Sequence, residues 1–135
     1  MPTVGVFAVI FDEWGRILCV KQNYGLKGWT IPGGRMERTE SLIEALEREV
    51  QEESGYHVQA RQVIGVYSSP YKDDMALIIQ AEIVDRGEWQ PNGEISELGF
   101  FEKNELPQPM HPHVVRLILD AFERQTGIIR VFNSE

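Results

Sequence analysis

GRMERTESLIEALEREVQEESGY, residues 34–56, is the most patterned stretch of this 135-residue chain. Residues 39–54 contain no Gly or Pro. Leu42, Ile43, Leu46 and Val50 fall on one helical stripe with Ala45 beside it, so the spacing predicts a helix. Thr39 is the expected N-cap, Glu40 falls in the expected first turn near the positive end of the dipole, and Gly55 is a natural stop. Seven of the seventeen residues 37–53 are Glu, against two Arg. Glu49, Glu52 and Glu53 stand at i, i+3 and i+4 on one face, where like charges repel. A hard divalent cation with oxygen ligands reverses that sign. A solvated acidic face is the plainer reading, since Glu is a good helix former, and spacing alone does not choose.

Outward from this helix, strands dominate. Residues 3–11 read as a strand apolar on both faces, with Val4, Val6, Ala8 and Ile10 on one and Phe7, Val9 and Phe11 on the other. The turn-like residues 12–15 lead into a second strand at 16–22, and the pair suggests a hairpin. YGLKGWTIPGG, residues 24–34, reads as an ordered glycine-rich loop with a short extended piece at 29–31. Beyond the helix, strands are expected at 58–67, 75–84 and 98–102, and Leu106-Pro107 breaks the pattern. An amphipathic helix is expected at about 112–125, followed by a short strand in the tail GIIRVFNSE. Strands apolar on both faces with two separated helices predict one α/β domain over 1–135, an α/β/α sandwich with a mixed β-sheet between helices.

Composition narrows the partners. The chain is 42% hydrophobic and 25% charged, the proportions of a globular domain, and no apolar run approaches a membrane span. Thirteen basic against 21 acidic residues leave a net charge of -8, so nucleic acid and membrane are not expected partners. An anionic substrate needs a bridging cation. Cys19, the single cysteine, lies in an apolar strand as a small core residue, and the opening residues lack a signal-peptide pattern, so a cytoplasmic location is the expectation.

The whole of residues 34–56 resembles the Nudix box, G-x5-E-x7-R-E-U-x-E-E-x-G-U with U a bulky apolar residue. Gly34, Glu40, Arg48, Glu49, Glu52, Glu53 and Gly55 match its fixed positions, Val50 matches an apolar one, and Tyr56 is aromatic where an aliphatic is usual. GWTIPGG resembles the family's lead-in, and EISELGFFEKNELP, residues 94–107, is similar to its E-x-x-E-x-x-W-F-x-x-x-E-L-P region with Phe100 for the usual Trp. The resemblance implies a hydrolase cleaving a phosphoanhydride in a nucleoside diphosphate linked to another moiety, with Mg2+ or Mn2+. The metal would be held by Glu49, Glu52, Glu53 and the Gly33 carbonyl. Arg48 would support the acidic face and Glu40 would be a structural partner. The resemblance leaves the general base open between the box acids Glu49 and Glu53 and the downstream Glu94 and Glu97, of which Glu97 is the one to test.

Plainer readings accompany the remaining residues. Lys21, Lys27 and Arg35 flank the box and are phosphate-binding candidates or solvated charges. His111 and His113 open the last helix without a third ligand nearby. Tyr24 and Trp29 are candidates for stacking on a base, although Trp29 reads better as loop packing. Pro70, fifteen residues past Gly55, is close to the placement of a proline that the family resemblance associates with ADP-ribose hydrolases, yet a turn proline needs no functional reason. Nucleoside triphosphates, nucleotide sugars and dinucleoside polyphosphates stay open as substrates, as does a homodimer. The competing class is a Nudix-fold module that senses a nucleotide or binds a protein without turnover. The retained Glu49, Glu52 and Glu53 speak against it.

Overall fold

The computed structural model describes residues 2–25 and 28–135. A five-stranded mixed sheet has the order β4-β1-β6-β5-β8, and a three-stranded antiparallel sheet has the order β3-β2-β7. In the first, β1 (Thr3–Ile10) runs antiparallel to β4 (Gly33–Arg35) and parallel to β6 (Asp74–Arg86). β5 (Tyr56–Ser69) lies antiparallel to β6, and β8 (Ile128–Val131) closes the edge parallel to β5. In the second, β2 (Ile17–Gln22) pairs with β3 (Trp29–Thr30) and with β7 (Ile95–Phe101).

The expected β1–β2 hairpin is the main correction. Only the bridge Phe11↔Ile17 joins the two segments, around a turn in which Asp12 Oδ1 accepts from Trp14 N at 3.0 Å and Arg16 N at 2.9 Å. Both edges of β1 are already occupied, by β4 and β6, so β2 leaves to build the second sheet. A tight turn fixes the reversal of direction, and long-range pairing decides which strands share hydrogen bonds.

The two-faced pattern of β1 divides the core. Val6, Ala8 and Ile10 pack with Leu18, Val58 and Ile79 under α1 (Leu42–Ser54), through Ala45, Leu46 and Val50. On the other face, Val9, Cys19, Ile64 and Ile78 pack under α2 (Pro112–Phe122), through Leu117, Ile118 and Ala121. Sheet between helices is the expected sandwich. Cys19 is fully buried, and burial pushes its thiol up to about 12, so it is an inert core group. Trp29 is core as well, edge-on to Phe101 at 5.3 Å. No helix among the described residues is long and apolar enough to cross a membrane.

The start of α1 lies later than Thr39. Ser41 is the N-cap: its hydroxyl accepts from Glu44 N at 3.1 Å and the Glu44 carboxylate accepts from Ser41 N at 2.9 Å, a closed capping box. Thr39 has φ 65° and Glu40 lies outside the helix, which frees the Glu40 side chain for a longer reach. The inward stripe is also narrower than expected, because Leu42 and Ile43 remain exposed. Gly55 caps the other end in the left-handed region at φ 78°, its N–H donating to Gln51 O at 2.8 Å.

Candidate active site

β4 meets the acidic face of α1, and Glu94, from the segment entering β7, adds its charge to that face. The α1·β4 contact is made possible by two residues without side chains. A Cβ on Gly34 would stand 2.6 Å from Glu49 Oε2, and one on Gly33 would run into the Val6 carbonyl and the Phe7 ring. Glycines here let backbone approach carboxylate. Glu53 uses that approach: its Oε1 accepts from Gly33 N at 2.8 Å, and the residue is 6% exposed.

The electrostatics separate the glutamates into two groups. Arg48 is the hub of the first. Its Nε and Nη2 grip the Glu40 carboxylate at 2.6 and 3.0 Å, Nη1 reaches Glu49 Oε1 at 2.8 Å and Glu52 at 3.3 Å, and Nη2 also donates to Arg35 O. Glu37 adds a looser contact at 3.7 Å. The hydrogen bonds from Arg48 and from Glu37 N hold the Glu40 carboxyl below its ordinary range, and the same Glu40 bond strengthens the hold of Arg48 on its proton. Arg48 and Glu40 thus lock the loop after β4 onto the helix.

Glu53 heads the second group. Burial pushes its carboxyl up to about 8, and the charges of Glu49, Glu94 and Glu52 add to the rise against the single opposing bond from Gly33. Glu49 is raised by burial as well, offset in part by Arg48. A buried carboxylate surrounded by carboxylates is stabilised by a cation with hard oxygen preference, and the chemistry of this donor set fits Mg2+ or Mn2+. Among the described residues no group of three His, Cys, Asp or Glu side chains is gathered as a metal cage. The helix face offers an incomplete oxygen set, suited to an ion that keeps waters and takes substrate phosphate oxygens.

Other candidates are placed differently from expectation. Glu97 faces Lys21 across the β2–β7 register, with Nζ 3.5 Å from the carboxylate, so the two tie up each other's charge. The downstream carboxylate whose charge reaches both Glu49 and Glu53 is Glu94, held where Glu94 N donates to Asn92 Oδ1 at 2.9 Å. Arg35 lies on β4 next to Gly34 with its side chain exposed. Lys27 lies outside the described residues. His111 is the N-cap of α2, its Nδ1 accepting from His113 N at 3.0 Å, which accounts for the pair without a metal. Tyr24, the stacking candidate, is half exposed. Its phenol feels Glu53, Glu94 and Glu49, a neighbourhood no spacing rule reveals because it joins a loop to a helix thirty residues away.

The comparisons agree with this architecture. A model of the NUDIX domain matches residues 1–122, and the chain belongs to that family. An ADP-ribose pyrophosphatase of Methanocaldococcus jannaschii is 33% identical over 130 residues, covering 93% of this chain and 76% of that protein. A Bacillus subtilis protein provisionally named 8-oxo-dGTP diphosphatase is 34% identical over 122 residues, covering 89% and 80%. Among solved structures, a NUDIX hydrolase from Nitrosomonas europaea superposes with a TM-score of 0.88 at 24% identity, covering 98% of this chain and 80% of that one, a likeness of fold. The chain is a Nudix hydrolase.

Proposed function

We propose that this hydrolase cleaves the pyrophosphate linkage of a nucleoside diphosphate joined to another moiety, in a reaction dependent on Mg2+ or Mn2+. The observation that carries the reading is Glu53, a buried carboxylate whose pKa is raised by burial and by the charges of Glu49, Glu94 and Glu52, and which accepts one hydrogen bond, from Gly33 N. Glu49, Glu52, Glu53 and the Gly33 carbonyl would hold the ion. Bound there, a divalent cation neutralises phosphate charge and lowers the pKa of water. The protein's own groups do the rest. Glu53 is fixed by Gly33 N, Arg48 orients Glu49, and Glu94 is the acid assigned to take a proton from the attacking water, because its charge is among those that raise Glu53 and Glu49. Lys21 and Arg35 remain candidates for meeting phosphate, Lys21 only after releasing Glu97.

A cleft on the α2 side supports a nucleoside. Phe7, whose ring lies against Gly33, lines it together with Ile31, Ala76, Lys72 and the stacked pair His113–Phe132, with centroids 3.9 Å apart. Pro70 opens the 3-10 turn between Ser69 and Lys72, both in that lining, so the ADP-ribose hint lies beside this aromatic-lined cleft. ADP-ribose and nucleoside triphosphates, oxidised ones included, are therefore the first substrates to compare.

The test is chromatographic product analysis with purified protein on ADP-ribose, nucleoside triphosphates, nucleotide sugars and dinucleoside polyphosphates, with and without Mg2+. Metal-dependent cleavage of one class above the others, abolished in Glu53→Gln, is expected. Turnover that persists in EDTA overturns the metal role. Tight nucleotide binding without turnover favours the sensing module.

A further inference from the structure

Resting on the nucleoside reading of the α2-side cleft, we infer that Phe132 is a positioning residue for substrate affinity: it fixes the plane in which the His113 ring meets the nucleoside. The two rings are stacked, 7° from parallel with centroids 3.9 Å apart, and both line the cleft. His111 and Tyr71 approach the same imidazole at steep angles, so the face-to-face contact comes from Phe132. An imidazole already held against a phenyl ring loses little further freedom when a ligand arrives.

Phe132 is itself anchored by backbone and charge. β8 runs parallel to β5 in the register Gly65↔Ile128 to Ser68↔Val131, and Phe132 N extends that pairing by donating to Ser68 O at 2.8 Å. Arg130, two residues earlier, grips the buried carboxylate of Asp120 with bonds of 2.6 and 2.7 Å. Tyr67 donates its hydroxyl to the same carboxylate at 2.8 Å and lies 20° from parallel to Phe132, with centroids 6.2 Å apart. One carboxylate on α2 therefore ties the helix that opens with His113 to the strand that delivers Phe132. The cleft adjoins the acidic face at Phe7, whose ring lies against Gly33, whereas the stacked pair stands on α2 and just past β8. A grip on the unreacting nucleoside is the same in the ground and transition states, so loosening it raises KM and spares kcat.

The experiment measures kcat and KM for Phe132→Leu, Phe132→Tyr, His113→Ala and the Phe132→Leu/His113→Ala double variant on the nucleotide the wild type turns over. Phe132→Leu keeps an apolar side chain but no flat face, and is expected to raise KM about fivefold while kcat changes by less than about twofold. Phe132→Tyr restores the face and recovers most of that loss. His113→Ala raises KM at least as much as Phe132→Leu, and the double variant is no worse than His113→Ala, because Phe132 acts through the imidazole. Wild-type KM in Phe132→Leu, an equal loss in Phe132→Tyr, a fall in kcat instead of a rise in KM, or losses that multiply in the double variant would overturn the role. A wild type without turnover on any panel compound overturns the hydrolytic proposal, and adenosine 5′-monophosphate titrated calorimetrically into the same proteins then decides Phe132 separately. Binding weakened about fivefold in Phe132→Leu and recovered in Phe132→Tyr upholds the role; equal affinity across the set, or no binding to the wild type, overturns it.

Discussion

Two buried carboxylates stand on opposite sides of the sheet, and the protein treats them in opposite ways. Asp120, on α2, is fully buried. Arg130 grips it with two bonds of 2.6 and 2.7 Å, Arg116 adds one at 3.1 Å, and Tyr67 donates its hydroxyl at 2.8 Å. Burial alone would raise its pKa, yet these partners hold it below the ordinary carboxylate range, and the network ties α2 to β5 and β8. Glu53, on α1, is almost as deeply buried but receives one backbone N–H and three neighbouring negative charges, and its pKa rises to about 8. A carboxylate resolved by its own chain is structural; one left electrostatically unresolved is prepared for something from outside.

The comparison breaks first on activity. Glu53→Gln should lower turnover at least about a hundredfold while leaving the melting temperature unchanged or higher in metal-free protein, because the amide removes the cost of holding that buried carboxyl protonated at neutral pH. Steady-state kinetics beside a thermal melt would check both, and a retained rate would detach Glu53 from the chemistry. Asp120→Asn should do the reverse, costing about 3 kcal/mol of stability while kcat per folded molecule holds. That is the low end for a broken buried pair, since Arg116 and Arg130 keep about a third of their side chains in water. Denaturant titration with active-site counting separates the two outcomes.

Within the acids themselves, Glu94→Gln should slow turnover by at least about tenfold and Glu97→Gln by less than about threefold, since the charge of Glu94 raises both box acids while Glu97 pairs with Lys21. The opposite ranking would return the base role to Glu97. The two buried carboxylates also oppose each other in pH. Glu53 has a folded pKa above its ordinary 4.5, so more protons are bound folded than unfolded between about 4.5 and 8, and metal-free stability should fall as pH rises across that window. Saturating Mg2+ or Glu53→Gln should flatten that slope. Asp120, with its pKa lowered from 3.8, contributes stability above that value that is lost as pH falls through the folded pKa. Melts from pH 3 to 9 would show both limbs. Smallest of all, Ser41→Ala removes the helix cap at a cost of about 1 kcal/mol and should leave kcat untouched, a check that weakening α1 does not by itself mimic loss of Glu53.

Much of this contrast was legible in one dimension on the α1 side and almost none of it on the α2 side. Glu49, Glu52 and Glu53 share a face because a helix turns every 3.6 residues, and Gly55 stops that helix because it tolerates positive φ. The split of β1 into Val6, Ala8 and Ile10 against Phe7 and Val9 follows equally from a period of two. Of the partners of Asp120 only Arg116 stands four residues away on the same helix; Tyr67 and Arg130 come from β5 and β8, which only tertiary packing brings to it. The N-cap falls at Ser41 instead of Thr39 for a local reason: two candidate hydroxyls stand two residues apart, and the closed Ser41–Glu44 box outcompetes Thr39.

By itself the sequence determined the α/β class, the acidic helix and the family, since each rests on short-range periodicity or on residues fixed within 23 positions. The tertiary structure decided which strand pairs with which, that Lys21 stands opposite Glu97, and that the charge of Glu94 adds to those of the box acids. Those facts depend on contacts between segments distant in the chain. A local pattern sets which faces are apolar and where a helix can end, but long-range pairing and desolvation set which charges meet and which are left without a partner.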